Sequence, residues 1–264
     1  MKGLFCALAV VAAPVASADP VLEAIAGAEP AVVVLGETHD NPHHHARQAR
    51  IVAAIDPAAL VFEFLTAEQA SRHVPGAAET DLETALGWDS ATGLPDFSMY
   101  YPIFAAAPGA EVRGARVPRN RAREAMQLGV SEVFSGPAAL FGLDAPLPEA
   151  EQAQRQALQA ESHCNALPEE MLPLMVAVQR LRDAELARAT LAALDTAGPP
   201  VVVITGNGHA RKDRGVPAML KRARPGLRVF ALGQAEGEGT PPGRFDLVVS
   251  SRPVDREDPC AAFR

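Results

Sequence analysis

The sequence predicts an α/β fold in a single domain, with a mostly parallel central sheet and helices on both faces. Three short, largely apolar runs at 31–36, 60–64 and 200–205 have the pattern of strands that are buried on both faces of a sheet. Segments with helical character separate these runs along the chain. Because strands that alternate with helices are joined by right-handed crossovers, they form a parallel sheet.

The remaining elements follow from capping residues and periodicity. A short helix is expected over 19–29, and Asn41 followed by Pro42 suits the start of a helix that ends near Ile55. Residues that suit an N-cap predict further short helices, which begin after Thr66, after Thr80 (with Glu83 completing a capping box) and after Ser98. The other predicted elements are a helical stretch over 147–197 broken near 167–168, a helix over 216–224, and strands over 111–117, 227–232 and 245–250.

The first 18 residues have the layout of a secretory signal peptide. Lys2 precedes an apolar run over 4–15, and an A-x-A cleavage site lies at 16–18. We expect cleavage to leave one domain over 19–264, with a helical insertion at about 120–195, in the periplasm or secreted. Because Cys6 lies near the start of the apolar run and does not follow it, the sequence does not predict a lipoprotein.

Composition narrows the range of partners. The chain has 24 Lys and Arg against 32 Asp and Glu, which disfavours nucleic acid or an anionic membrane surface as the main partner. After the leader, no apolar stretch approaches the roughly 18 residues that span a bilayer. Cys164 and Cys260 are the two cysteines left after cleavage, and export favours a disulfide between them over two free thiols.

Polar residues follow the predicted strands at their carboxyl ends, where open parallel sheets bind ligands. Two Gly-x-x-His sequences, ending at His39 and His209, each leave an apolar strand, and Glu37 lies within the first of them. Glu63 lies inside a predicted strand, where an unpartnered carboxylate would be costly to bury. These residues allow three interpretations. Two histidines and a carboxylate suit a metal site with open coordination positions, and a glutamate beside a histidine can transfer protons without metal. In the third interpretation, all of them are structural hydrogen-bonding groups.

Three consecutive histidines occupy the first turn of the helix that begins at Pro42. Consecutive helical side chains point about 100° apart, so at most one or two of the three can face the site. We interpret His43 and His44 as a solvated helix start, and we keep His45, with Gln48, as supporting residues.

A set of short motifs runs through most of the chain. The set comprises Leu35-Gly-Glu-Thr-His-Asp-Asn-Pro42, His45-x-x-Gln48, Leu60-Val-Phe-Glu63, Trp88, Tyr101-Pro102, Gln179-x-x-Arg182-Asp183 and Gly206-x-Gly-His-Ala-Arg-x-Asp-Arg-Gly-Val-Pro217. Over residues 31–220 it resembles the ChaN family of haem-binding uptake proteins. That family belongs to the Tiki superfamily, with relatives among the TraB/PrgY proteins and erythromycin esterases.

The resemblance to ChaN implies an iron- or haem-uptake protein that binds haem through tyrosine, with a possible homodimer sharing the haem groups. Tyrosinate is a reasonable ligand for ferric haem iron. The chain contains two tyrosines, Tyr100 and Tyr101, of which only one can face a given pocket, and we choose Tyr101, in a pocket edged by the two motif histidines. Arg116 and Arg211 could pair with haem propionates or with a substrate carboxylate, because guanidinium groups suit bidentate contacts. Alternatively, Arg116 only ends a strand and Arg211 pairs with the nearby Asp213.

The resemblance to Tiki-like proteins implies an alternative, a metal-dependent hydrolase. In this alternative His39 and His209 bind a divalent transition metal, Glu63 helps to bind it, and Glu37 activates water. Whether the protein is an enzyme stays open at this stage.

Three supporting residues share one face of a predicted helix. Gln179, Arg182 and Asp183 lie at positions i, i+3 and i+4. They could orient the motif histidines, for example by a bond from an imidazole to Asp183, or they could form an intrahelical ion pair.

Overall fold

The computed structural model describes residues 19–88, 94–258, 260 and 261, so the predicted signal peptide at 1–18 lies outside the described residues. The strands are β1 (Val32–Leu35), β2 (Ala59–Phe62), β3 (Glu111–Gly114), β4 (Val201–Ile204), β5 (Val229–Glu236) and β6 (Leu247–Ser251). They form one sheet in the order β3-β2-β4-β1-β5-β6, in which all neighbouring strands are parallel. The predicted α/β class is confirmed.

Helices connect the strands and cover both faces of the sheet. They are α1 (Pro20–Ala28), α2 (Pro42–Ile55), α3 (Ala67–Ala70), α4 (Glu79–Leu86), α5 (Phe97–Ala106), α6 (Arg119–Leu128), α7 (Val130–Val133), α8 (Ala138–Phe141), α9 (Glu149–Ser162), α10 (Leu172–Ala197) and α11 (Val216–Ala223). A short 3₁₀ helix, Glu169–Met171, precedes α10. Within the described ranges, no helix has the length and apolar character needed to cross a membrane.

Each face of the sheet has its own apolar core. Val32 and Val34 of β1 belong to the core formed with α6, α7, α8, α10 and α11, whereas Val33 and Leu35 belong to the core formed with α1 to α5. Successive residues of a strand point to opposite faces, and a strand covered on both sides is apolar throughout. The uninterrupted apolar run of the sequence therefore reflects burial on both sides.

Two strands end earlier than the sequence predicts. β2 ends at Phe62, so Glu63 follows the strand and does not lie within it, and the expectation of a mid-strand carboxylate is wrong. β3 ends at Gly114, two residues before Arg116. After Gly114 the backbone N–H of Arg116 donates to the carbonyl of Leu65, which lies beyond the end of β2.

Helix starts are predicted with mixed success. α2 begins at Pro42 with Asn41 as its N-cap, as predicted, and Thr66 forms a capping box with Gln69. The capping box predicted at Thr80 is wrong, because α4 begins two residues earlier than predicted, at Glu79, without a side-chain cap. The N-cap of α5 is Asp96 and not Ser98. These helices are placed by their buried apolar side chains, and the cap residues only adjust their ends.

The segment between β3 and β4 contains only helices, from α6 to α10. The predicted pairing of Cys164 with Cys260 is confirmed by a disulfide that joins the end of α9 to the C-terminal segment across 96 residues of sequence.

Gly114 of β3 lies where the chain that follows β2 comes close, and a substitution there tests this packing. A Cβ on Gly114 would lie 2.2 Å from the carbonyl oxygen of Thr66 and 2.4 Å from that of Leu65, whereas a Cβ on Gly109 would meet nothing within 4 Å. We expect Gly114→Ala to lower the free energy of unfolding by about 1–3 kcal/mol, the usual effect of overpacking. Gly109→Ala, the control, should stay within about 1 kcal/mol of wild type in urea unfolding. Equal stability of the two variants would contradict this packing.

Candidate functional site

Three neighbouring strands bring the predicted site residues to one edge of the sheet. In the order β2-β4-β1, Glu63 follows β2, Gly206 and His209 follow β4, and Glu37 and His39 follow β1. Carboxyl ends of parallel strands share one edge, so these side chains meet. The carboxylate–histidine cluster is defined as Glu37, His39, Glu63, Asp183 and His209.

His209 lies between two carboxylates. Its Nδ1 is 2.7 Å from Oδ1 of Asp183 on α10, and its Nε2 is 3.6 Å from Oε1 of Glu63. Burial by itself would lower the pKa of His209, but the charges of Glu63 and Asp183 outweigh burial and raise the pKa to about 9. The imidazole is therefore protonated at neutral pH.

Glu63 is held as an anion. Its Oε2 accepts hydrogen bonds from the hydroxyl of Thr205 (2.6 Å) and from the backbone N–H of Gly206 (2.9 Å). Burial raises the pKa of this carboxyl, but the charges of His209 and His39 and these hydrogen bonds together lower it to about 2. Partners that follow β4 and β1 thus offset the free-energy cost of burying the Glu63 carboxylate.

Glu37 is the more deeply buried carboxylate, and it orients His39. The Nδ1 atom of His39 lies 3.0 Å from Oε1 of Glu37, which also accepts a hydrogen bond from the Tyr100 hydroxyl, while Gln48 Nε2 donates to Oε2 at 2.8 Å. Burial opposes both charged forms, yet the contact with His39 lowers the pKa of Glu37 and the contacts with Glu37 and Glu63 raise that of His39. The side chain of His39 is 45% exposed, so this pair reaches solvent.

Gly206 leaves room for the His39 ring. A Cβ at position 206 would lie 2.7 Å from Cε1 and 3.0 Å from Nε2 of His39. The glycine of the second Gly-x-x-His motif thus lets the histidine of the first approach Glu63.

Two of the three consecutive histidines are buried, which corrects the interpretation of His44 as solvated. His44 Nδ1 accepts from the backbone N–H of Thr38 (2.9 Å), and its Nε2 donates to the carbonyl of Ala235 (3.1 Å). This pattern requires a neutral ring, in agreement with the lowering of its pKa by burial. His45 Nε2 donates to the carbonyl of His39 at 2.8 Å, and His43 is exposed.

The structure places the two tyrosines on different sides of α5. Tyr100 is fully buried and contacts Glu37, with its ring 4.4 Å from that of His45. Tyr101 is half-buried and donates to the carbonyl of Ala77 at 3.2 Å. The expectation that Tyr101 shares a pocket with the motif histidines is therefore corrected, because neighbouring helical residues point about 100° apart and Tyr100 takes that direction.

The two predicted arginines also separate. Arg211 is buried, and its Nη2 pairs with Oδ2 of Asp213 at 2.6 Å. Arg116 borders a different cavity of about 140 Å³, where Arg121 and Arg188 are its cationic neighbours. A single ligand carboxylate cannot be assigned to both residues.

The three predicted residues on one face of α10 also have different partners. Asp183 contacts His209, whereas the Nη1 atom of Arg182 donates to Gln179 Oε1 at 3.3 Å. Gln179 and Asp183 line a cavity of about 200 Å³ together with His209. The orienting role therefore applies to Asp183, whereas Arg182 forms a hydrogen bond to a neutral amide and not the expected intrahelical ion pair.

The metal-ligand expectation is not supported by the arrangement of the side chains. Within residues 19–88, 94–258 and 260–261, no group of three or more His, Cys, Asp or Glu side chains is placed to hold a metal ion. His39, His209 and Glu63 lie together, but each is engaged with a neighbouring side chain through hydrogen bonds or ion pairs.

Sequence reasoning misses two kinds of residue. The first kind has a signal in the sequence. Thr205 is an example, because its hydroxyl follows an apolar strand and precedes a glycine, and this pattern could have identified it. Arg155 and Gln159 on α9 are the second kind, because they reach the His209 side of the site only through the packing of α9 on α10, and no local pattern connects them to it.

The fold and the site together define a class, an α/β protein with a ligand site at the carboxyl edge of a parallel sheet and with two histidine–carboxylate pairs in it. Comparison with known families supplies the particular family. The chain belongs to the haem-binding uptake family ChaN of the Tiki superfamily, whose family model matches residues 22–220.

One solved structure shows the same fold, and others align more weakly. The structure described as cofacial haem binding to ChaN of Campylobacter jejuni aligns with a TM-score of 0.64 at 18% identity, covering 86% of this chain and 89% of that one. A succinoglycan biosynthesis protein aligns with a TM-score of 0.43 at 14% identity, covering 82% and 68%. The type III effector HopBA1 aligns with 0.41 at 14%, covering 87% and 91%. No curated protein sequence matches the chain significantly.

The buried His209 predicts a pH-dependent stability. Because its folded pKa of about 9 exceeds the unfolded value of 6.5, its contribution is complete below pH 6.5 and is lost as the pH rises through 9. This shift corresponds to at most roughly 3 kcal/mol. In urea unfolding from pH 5.5 to 9.5, the stability difference between wild type and His209→Gln should shrink as the pH rises, while His43→Gln, at an exposed position, should stay near wild type. A difference that is constant over this range would contradict the assignment.

Proposed function

We propose that this protein is an exported haem-binding protein of iron or haem uptake, in which Tyr101 ligates the ferric haem iron. The observation that carries the proposal is the separation of the chain's two tyrosines, one buried in the carboxylate–histidine cluster and the other at an apolar surface cavity. Family membership supports haem as the ligand, and the N-terminal leader supports export to the periplasm.

Tyr100 is unsuited to ligating iron. Burial and the neighbouring Glu37 carboxylate raise its pKa well above 10, so that the phenol keeps its proton at neutral pH. Its hydroxyl already donates to Glu37 inside the protein. A haem could not reach this oxygen without opening the core between α2 and α5.

Tyr101 has both access and suitable surroundings. Its oxygen gives up one 3.2 Å hydrogen bond to Ala77 when it turns to a ligand and loses its proton to solvent. The cavity beside it measures about 220 Å³ and includes Leu82, Phe104 and Pro108. Among the described residues that line it, His73 is the titratable neighbour of Tyr101, and burial lowers the pKa of His73. A phenol oxygen set in an uncharged apolar wall fits the face of a porphyrin.

A porphyrin is larger than this cavity, so only one face of a haem would rest on the protein. Val74, which is 50% exposed, extends the apolar surface beside His73. The uncovered face would favour association with a second haem-loaded copy, and the Campylobacter relative is described as binding haem cofacially. We therefore include a homodimer in the proposal.

Haem titration tests this function. Haemin added to the purified chain should give a saturable shift of the Soret band at micromolar concentration, and Tyr101→Phe should weaken binding at least tenfold because the ligand oxygen is removed. Tyr100→Phe is the matched control, and it should retain the affinity and the spectrum. The proposal fails if wild type gives no saturable shift, or if Tyr101→Phe binds as wild type does.

A second candidate function, hydrolysis by acid–base catalysis, is favoured by one observation. His39 is half-exposed, and its Nδ1 is held by the buried Glu37, which leaves Nε2 to act as a general base. Glu37 would orient the imidazole rather than activate water itself. This candidate is argued from the acid–base geometry of His39 and Glu37.

Ester hydrolysis tests the second candidate. Wild type should hydrolyse p-nitrophenyl acetate above the buffer rate, and His39→Gln should reduce that rate about 100-fold or more. His43→Gln, a neighbouring exposed histidine, should have no effect, and neither substitution should change the haem spectrum. Hydrolysis at the buffer rate, or an unchanged rate in His39→Gln, would remove this candidate.

A further inference from the structure

A cavity of about 200 Å³ lies where α9, α10 and the chain after β4 meet. We propose that this cavity binds a small anion, a carboxylate or phosphate group, through the guanidinium of Arg214. The arginine cavity is defined by Arg155, Gln159, Asp183, His209, Arg211 and Arg214 among its lining residues, and the Asp183 carboxylate is already paired with His209. Its volume is far larger than the roughly 10–15 Å³ that a single water molecule needs, so it has room for a compact anionic group.

The charges around the cavity leave one guanidinium without a partner. Arg155 donates to Glu151 through Nε at 2.9 Å, and Arg211 pairs with Asp213. Among the described residues, Arg214 makes no side-chain hydrogen bond or ion pair, although it is half-buried. Burial and the positive charges of Arg211 and Arg155 lower its pKa, and the carboxylates of Asp213 and Asp183 oppose this only in part. A bound anion would relieve both effects.

The geometry of guanidinium groups favours this class of ligand. Arginine cannot be neutralised at physiological pH, so a partly buried and unpaired Arg214 needs a negative group. Its planar fork matches the oxygen pairs of carboxylates and phosphates. The His209 imidazole lines the same wall, with its charge balanced by Glu63 and Asp183.

Gln159 supplies a second, independent indication. Its Oε1 is buried at the cavity wall and has no hydrogen-bond partner. A buried amide without a partner is uncommon, and it suggests that a ligand completes the site. Rotation of the amide group would point Nε2 into the cavity, where it could donate to an anion held by Arg214.

This cavity is distinct from the proposed haem surface. Its lining comes from α9, α10 and the 208–214 segment, whereas the Tyr101 cavity is lined by residues 73–82 and 101–108. The proposal therefore does not rest on haem binding. A carboxylate could still come from a haem propionate or from a free small anion, and these sources have to be separated by experiment.

Calorimetric titration of the full mature chain with inorganic phosphate and with succinate, at pH 7 and constant ionic strength in chloride, tests the proposal. We expect saturable binding of at least one probe. Arg214→Gln should weaken it at least tenfold, and Arg214→Lys less, because lysine keeps the charge but loses the fork. The matched control is Arg123→Gln, an exposed arginine on α6, which should bind as wild type does.

Two further arms complete the test. If Arg214→Gln does not fold, as judged by circular dichroism, Arg214→Lys and Gln159→Leu decide, and each should weaken binding several-fold. Repeating the titration with haem-loaded protein separates the sources, since unchanged affinity identifies a free anion and lost affinity identifies a haem propionate. The proposal is overturned if neither probe binds beyond the chloride control, if folded Arg214→Gln binds as wild type does, or if both substitute variants do.

Discussion

Burial of carboxylates at the carboxyl edge of the sheet is the constraint on which the rest of the site depends. Glu37 and Glu63 follow apolar strands, and neighbouring elements shield their carboxylates from solvent. Each carboxylate therefore needs partners within the protein. The partners of Glu63 are the Thr205 hydroxyl, the Gly206 N–H and the His209 ring, all of which come from the end of β4. The positions of the polar residues after β4 are therefore constrained by the carboxylate of Glu63, which follows β2.

The same constraint divides the surroundings of the cluster into two chemically different regions. Tyr100 is drawn inward because Glu37 accepts its hydrogen bond, and this orients the next residue, Tyr101, toward an apolar surface of α5. On the other side, Asp183 fixes His209 and places a cation at the arginine cavity. One side suits an apolar, aromatic ligand such as haem, and the other suits an anion.

Local pattern was sufficient for much of the architecture. The apolar runs predicted the central strands because a strand covered on both faces has no polar side to interrupt the run. The two Gly-x-x-His sequences predicted that His39 and His209 meet, because the carboxyl ends of parallel strands share an edge. Strand ends and caps were less predictable. β2 ends one residue before Glu63, and α4 has no side-chain cap, because packing of apolar faces decides such ends.

The sequence by itself determined the fold class, the family, the pairing of the two cysteines and the strand-end residues that form the cluster, since each follows from residue type and order along the chain. Only the tertiary structure decided which side chains share a space. It buried His44 against β5, set Tyr100 rather than Tyr101 beside Glu37, and brought α9 to the His209 cavity. The physical reason is that these contacts join residues far apart in sequence. The rotation of each helix and its packing decide which residues meet, and local spacing in the sequence encodes neither the rotation nor the packing.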